Sequence, residues 1–144
     1  MTYASLEDVP EQDVERALNY MGAVTRLSPS RTATRVARYI ADECLLRGES
    51  RLTHKEFERR TGACRRTLQR AIHHLIASKL IERTGVSDTG AAVYRSCWDR
   101  ADEYRAWGKA FDSQWESARK ARKLASFVAP EYPAAAVEAE HGAA

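Results

Sequence analysis

The chain has no apolar run near the ~18 residues that a bilayer-spanning helix needs. Its cysteines, Cys44, Cys64 and Cys97, are odd in number and widely spaced, without a CxxC pair. We therefore expect neither a disulfide framework nor a cysteine-ligated zinc site. The first residues show no charged segment followed by an apolar run. The sequence predicts a cytoplasmic protein without a membrane partner.

Acidic residues are missing from one stretch, although charged residues make up 30% of the chain. Between Ala63 and Lys79 there is no Asp or Glu. Residues 31–100 hold 15 Lys/Arg against 8 Asp/Glu, a net charge of +7, whereas the rest holds 8 against 12, a net of −4. A basic centre with acidic ends suits a polyanionic partner for the centre.

Motifs for catalysis and for cofactors are also missing. The sequence has no Gly-rich phosphate loop, no nucleophile elbow and no convincing acid–base pair. His73 and His74 are adjacent, so in a helix they point in different directions and do not chelate one ion. Cys64, beside two arginines at a helix start, fits a redox thiol, but a small residue that merely fits there is the simpler interpretation. We expect no enzyme, no metal, no cofactor and no small-molecule effector.

Apolar periodicity predicts a mainly α-helical chain with a small β-hairpin. Residues 1–30 are expected to be an N-terminal extension with one short helix that ends near Gly22. Its apolar face would carry Val14, Leu18 and Met21.

The central segment begins with a helix that starts at Ser30 or Thr32 and ends at Gly48, a residue typical of helix C-termini. Its expected core residues, at helical spacing, are Val36, Ile40 and Cys44.

A shorter helix follows a one- or two-residue strand at 51–52. Thr53 and Glu56 match a capping box, and Phe57 is the expected buried anchor. Residues 61–62, Thr-Gly, supply a sharp turn, because glycine accepts a positive φ.

The next helix, from about Arg65 to Ser78, has two unlike faces at 100° per residue. The face expected to meet the core carries Leu68, Ala71, Ile72 and Leu75. A basic outer face is often only a solvated surface, but such surfaces usually mix Glu with Lys. The absence of acids favours a polyanion.

The outer face carries Arg66, Arg70 and His73, with Gln69 on its flank. Arg is suited to bidentate bonding with guanine O6/N7, and Gln to adenine N6/N7. The residues of this helix and its start that we expect to contact DNA are Cys64, Arg65, Arg66, Thr67, Gln69, Arg70 and His73.

Two β-prone runs joined by the loop 85–90 predict a hairpin. Arg83 and Arg95 are placed to flank a phosphate backbone, whereas Asp88 at the tip argues against deep entry into a groove. The candidate DNA-binding residues outside the helix are Thr53, Arg83, Ser87, Thr89 and Arg95.

Residues 52–95 resemble the winged helix-turn-helix of bacterial transcription regulators, especially the GntR-like DNA-binding domain and related plasmid and phage proteins. The resemblance rests on residues 61–71 (TGACRRTLQRA), Leu75, residues 80–83 (LIER) and the glycines of the loop. It implies a winged helix-turn-helix over residues 31–98, with a recognition helix in the major groove and a wing on the backbone. It also implies a sequence-specific double-stranded DNA-binding protein, most simply a transcriptional repressor.

The chain departs from this pattern at Glu58, where a small Ala is usual, and at Cys64, where a Ser caps the helix more strongly. Two other functions stay open. A plasmid or phage replication or segregation protein would bind DNA repeats with the same chemistry. A winged-helix protein-interaction adaptor would not need an acid-free basic face.

Residues 99–128 show a long helical pattern with an aromatic stripe formed by Tyr104, Trp107, Phe111 and Trp115. We expect this helix to form a homodimer, the alternative being that it folds back on its own domain. A two-fold dimer would read an inverted repeat with half-sites about 10–10.5 bp apart, or a multiple of that.

Residues 129–144 combine prolines, small residues and acids, which predicts a disordered tail. Removal of the chain after Pro130 is expected to leave folding unchanged.

Overall fold

The computed structural model describes residues 2–133. These residues form a mainly helical structure with one antiparallel hairpin, which confirms the predicted balance of helix and strand. No helix in this range has both the length and the apolar character that crossing a membrane requires. In chain order the elements are α1 Glu11–Leu27, α2 Arg31–Arg47, α3 His54–Thr61, α4 Arg65–Ala77, β1 Ile81–Val86, β2 Ala92–Ser96 and α5 Asp99–Lys120, with short 3-10 turns at Leu6–Asp8 and Leu124–Ser126.

The capping signals in the central segment are confirmed. The Ser30 hydroxyl accepts the Ala33 N–H at 3.1 Å at the start of α2. Thr53 and Glu56 form both bonds of the capping box at α3. Each box partner satisfies an N–H that the first helical turn leaves without an intrahelical acceptor.

The helix stops are confirmed as well. Gly48 ends α2 with φ 83°, and Gly62 ends α3 with φ 74°. Both angles lie in the left-handed region, where a Cβ is costly. The turn between α3 and α4 therefore depends on Gly62, the residue at which the sequence predicted a sharp turn.

The core centres on α2 and α4 and includes buried residues of α1, α3, the hairpin and the start of α5. Each side chain that helical spacing assigned to the core is buried. These side chains are Val36, Ile40, Cys44, Phe57, Leu68, Ala71, Ile72 and Leu75. The predicted face of α4 is therefore the face that holds it on the body of the protein.

Helix α1 differs from its prediction. It continues through Gly22 to Leu27, and Leu18, expected on its apolar face, is 68% exposed. Its buried residues include Tyr20, whose hydroxyl donates to the Leu80 carbonyl at 2.6 Å. Helix α1 therefore contributes to the core and is not an extension beside it.

Gly22 is needed inside α1 for close packing rather than for a helix end. A Cβ at this position would overlap ring carbons of Tyr104 in α5. The missing side chain lets α5 lie directly against α1, which explains why a residue that often ends helices lies within one here.

In the hairpin, β2 is the inner strand. It pairs with β1 in an antiparallel register from Ile81↔Ser96 to Val86↔Ala92, with an irregularity between Arg83 and Gly85. On its other side, Tyr94 exchanges two backbone hydrogen bonds, 2.8 and 3.0 Å long, with Ser50. In place of the short strand predicted at 51–52, the structure has a single β-bridge one residue earlier, at Ser50.

Helix α5 is shorter than predicted, and the chain then reverses. The helix ends at Lys120, and Arg122 adopts φ 56°. The Trp107 indole N–H donates to the Pro130 carbonyl at 2.9 Å, and the Tyr132 ring lies 5.4 Å from the Trp107 ring. The predicted disorder is therefore wrong for residues 130–133, because aromatic contacts hold them; residues 134–144 lie outside the described residues.

Candidate nucleic-acid interface

Helix α4 presents a basic face to solvent. Its buried side, which includes Leu68 and Ile72, packs mainly against α2 and α3. The opposite side is exposed along more than two helical turns. The exposed side chains there are those of Arg65, Arg66, Gln69, Arg70 and His73.

The arginines of this surface have no acidic partners. Among the described residues, no carboxylate lies within the 4.0 Å ion-pair distance of the guanidinium groups of Arg65, Arg66, Arg70 or Arg83. Five arginines elsewhere in the described part of the chain do have such partners, namely Arg16, Arg47, Arg51, Arg100 and Arg119. Ion pairs within the described residues therefore do not offset the positive charge of the arginines on α4.

A groove of about 340 Å³ runs between α4 and the hairpin. Its floor includes Ile72 and Tyr94, which belong to the core. The remaining residues that line it are His54, Gln69, His73, Ile76 and Arg83. The groove therefore joins three predicted contact residues, Gln69, His73 and Arg83, in one surface.

His54 was missed as a site residue. It begins α3, and its Nδ1 atom is buried without a hydrogen-bond partner among the described residues. No sequence pattern links it to α4, since only the packing of α3 beside α4 brings it to the groove. Ile76, which lies on α4 itself and is 38% exposed, was also missed.

The first turn of α4 is weakly capped. Cys64 occupies the N-cap position, but its side chain accepts no backbone N–H there. The sulfur instead lies 3.3 Å from the Thr67 hydroxyl oxygen. This hydrogen bond lowers the pKa of the exposed Cys64 thiol, because it favours the thiolate.

Three of the other predicted contact residues, Ser87, Thr89 and Thr53, use their hydroxyl groups in hydrogen bonds within the chain. The Ser87 hydroxyl accepts the Ala91 N–H at 3.2 Å and lies 2.9 Å from the Thr89 hydroxyl oxygen. Thr53 uses its oxygen to cap α3. Arg83 and Arg95 are exposed on neighbouring strands of the hairpin. Of the predicted contact residues on the described hairpin, the two arginines are therefore the ones whose hydrogen-bonding groups are not used within the chain.

The aromatic stripe on α5 contacts its own chain. Trp107 lies under the Arg26 guanidinium of α1, with 4.2 Å between the guanidinium carbon and the ring centroid. Farther along the helix, Trp115 is 41% exposed and packs edge-on against Phe127. The chain thus covers part of the stripe and leaves part of it open, and the homodimer stays a prediction.

Within residues 2–133 no group of three or more His, Cys, Asp or Glu side chains is arranged to hold a metal ion. The three cysteines form no disulfide with one another. Comparison with protein-family models, with curated proteins and with solved structures gives no match for this chain. The geometry of the surface is therefore the basis for a functional proposal.

Proposed function

We propose that residues 31–98 form a winged helix-turn-helix and that the protein is a sequence-specific double-stranded DNA-binding protein, a cytoplasmic transcription regulator acting as a repressor. Helix α4 is the recognition helix, and the hairpin is the wing. The B-DNA major groove is about 12 Å wide and admits one α-helix, so α4 enters it with its N-terminal half foremost.

The observation that carries this proposal is the row of unpaired arginines on α4. The three guanidinium groups on α4 and that of Arg83 beside it repel one another, and a bound polyanion offsets this repulsion. Arg66 and Arg70 are one helical turn apart and are both exposed, so they address neighbouring base pairs or phosphates. Both side chains lie on the face of α4 opposite the buried Leu68, so they point into solvent.

The groove beside α4 supports a second contact. A DNA strand whose bases meet α4 continues its backbone toward the hairpin, where Arg83 stands at the rim of the groove. Arg is suited to bidentate bonding with phosphate. The hairpin tip carries Asp88 and contacts the flanking backbone only from the side, because a carboxylate is repelled by phosphate.

Selection of bound fragments from random double-stranded DNA, followed by titration of the preferred site, tests the proposal. Arg66→Ala and Arg70→Ala are each expected to weaken binding by about 1–3 kcal/mol for a lost base contact, with relaxed preference at one position. A lost phosphate contact weakens all sequences alike and reduces the salt slope by about one. The melting temperature should not change, since neither side chain is buried.

Arg105→Ala is the matched control, because it removes the same charge from an exposed position on α5. It should leave DNA affinity unchanged. If Arg66→Ala and Arg70→Ala bind DNA as the unmodified chain does, α4 is not the recognition helix. Absence of any salt-dependent retention on heparin would favour an interaction adaptor. Several regularly spaced footprints on one fragment would favour a replication or segregation protein over a repressor.

A further inference from the structure

The last described segment, residues 124–133, folds back along α5; it is called the C-terminal arm below. Phe127 meets the rings of Phe111 and Trp115 edge-on, with centroids 5.4 and 5.2 Å away. Nearer the start of α5, Tyr132 lies beside Tyr104, with centroids 6.4 Å apart. Burial raises the pKa of the Tyr132 hydroxyl to about 12. The arm thus docks at two places on a single helix face.

The turn that sends the arm back is strained. The Lys123 N–H donates to the Ala118 carbonyl at 2.8 Å, and the Arg122 N–H donates to the Arg119 carbonyl at 3.1 Å. This pair of bonds places Arg122 at the left-handed position of a helix end, where glycine is usual. A side chain at φ 56° is unfavourable there. Continuation of α5 through residue 122 relieves the strain and carries the arm away from its own helix.

Apolar surface stays open when the arm is docked on its own chain. Leu124 is 42% exposed and Val128 81% exposed, and between them in the sequence Phe127 contacts Trp115, which is itself 41% exposed. These side chains lie at the same end of α5, at the turn and beyond it. Such a patch is covered most simply by the same patch of a second copy related by a two-fold axis.

We propose that the C-terminal arm exchanges between two copies of this chain, so that each arm docks on the partner's α5 and the turn at residues 121–123 acts as the hinge. Exchange recreates every aromatic contact of the arm and removes the strain at Arg122. A dimer that simply displaced both arms would lose those contacts. The proposal concerns assembly, and its tests contain no DNA, so its failure leaves the proposed DNA binding untouched.

Complementation between two variants is the first test. The arm variant carries Phe127→Ala and Tyr132→Ala, and the face variant carries Phe111→Ala and Trp115→Ala. Size-exclusion chromatography with light scattering should show the unmodified chain as a dimer and each variant alone as a monomer. Mixing differently tagged variants should yield a heterodimer, since the intact arm of one docks on the intact face of the other.

Three results would overturn the proposal. An arm variant that dimerises as strongly as the unmodified chain would show that α5 faces pair directly. Variants that stay monomeric when mixed would show that arms do not cross between copies. An unmodified chain that is monomeric at high micromolar concentration would show that arms do not exchange between copies.

The hinge gives a second test that leaves the aromatic face intact. Arg122→Gly relieves the strain of the closed turn, whereas Arg122→Ala favours continuation of the helix. Because two hinges change per dimer, the dissociation constant should be about tenfold or more higher for Arg122→Gly than for Arg122→Ala. Lys120→Ala controls for the lost charge and should behave as the unmodified chain does. Equal dissociation constants for the two Arg122 variants would overturn the hinge.

Discussion

At the level of single residues, Cys64 determines the chemistry of the first turn of α4. A thiol is a poor acceptor, so the N–H groups of this turn are left to solvent or to a ligand such as a phosphate. The same thiol is exposed, and its hydrogen bond with Thr67 lowers its pKa. The other cysteines differ, since burial raises the pKa of Cys44 and raises that of Cys97 to about 11.

We predict that a thiol reagent such as iodoacetamide modifies Cys64 well before Cys44 and Cys97. The thiolate is the reacting form, and a lowered pKa keeps it populated at lower pH than in a free cysteine. Mass spectrometry of digested samples taken over time measures the order. Addition of the selected DNA should slow the reaction, because α4 is then covered.

Thr67→Val is the control for this prediction. It removes the hydroxyl partner, so the pH at which modification reaches half its maximal rate should rise. Equal rates at the three cysteines would contradict the predicted reactivity of Cys64. No protection by DNA that is shown to be bound would contradict the assignment of this turn to the interface.

The residues that sequence could identify are those whose roles depend on near neighbours in the chain. Ser30, Thr53 with Glu56, and Gly62 act within three or four positions, and each behaves as predicted. Tyr20 and His54 could not be assigned in this way. Their roles depend on Leu80 and on α4, which lie far away in sequence.

At the level of elements, α5 is fastened to the end of the proposed recognition helix. Arg100, in the first turn of α5, is only 4% exposed. Its guanidinium donates to the Ser78 carbonyl at 2.8 Å and to the Lys79 carbonyl at 3.4 Å, and it pairs with Glu103 at 2.8 Å. These two carbonyls belong to the turn that directly follows α4. Arg100 therefore ties the start of α5 to the turn at the end of α4.

We predict that Arg100→Ala lowers the free energy of unfolding by about 2–3 kcal/mol, because buried carbonyls lose a charged donor and a cavity opens. Chemical denaturation measures the loss. Glu103→Gln should cost less, since the Glu103 side chain is 38% exposed and water replaces the pair. Arg105→Ala, on the same helix but exposed, should have little effect. A loss under about 0.5 kcal/mol for Arg100→Ala would mean that α5 does not secure α4.

Element types were predicted better than element ends and faces. The α4 face followed from periodicity, because a solvated basic side and an apolar side differ clearly. In α1 the spacing of Val14, Leu18 and Met21 indicated one apolar face, but the buried residues are Ala17, Tyr20, Ala23 and Val24. Nothing in residues 121–123 resembles a helix stop. The reversal at Arg122 depends on the aromatic contacts that follow it.

On the scale of the whole molecule, α1 and α5 are not appendages of the central segment. Tyr20 of α1 and Ala101 of α5 belong to the same buried cluster as Leu68 of α4. An ion pair between Arg16 and Asp102, 2.9 Å long, also joins α1 to α5 on the surface. The boundaries predicted after residues 30 and 98 therefore separate sequence patterns rather than independent cores. All four other helices contribute residues to the core on which α4 packs.

Truncation of the chain after residue 130 or 133 tests which of the last residues stabilise the fold. We predict that a chain ending at Pro133 melts at the same temperature as the full chain, whereas a chain ending at Pro130 melts a few degrees lower. The shorter chain loses the Tyr132 ring from between Tyr104 and Trp107, contacts worth about 0.5–1.5 kcal/mol each. The bond from Trp107 to the Pro130 carbonyl stays in both, so the comparison isolates residues 131–133. Differential scanning calorimetry at one fixed protein concentration makes the measurement, and DNA affinity per site should be equal in the two chains because α4 is unchanged. Identical melting temperatures for the chains ending at Pro130 and Pro133 would show that residues 131–133 do not stabilise the fold. A lower melting temperature for the chain ending at Pro133 than for the full chain would show that residues beyond 133 also stabilise it.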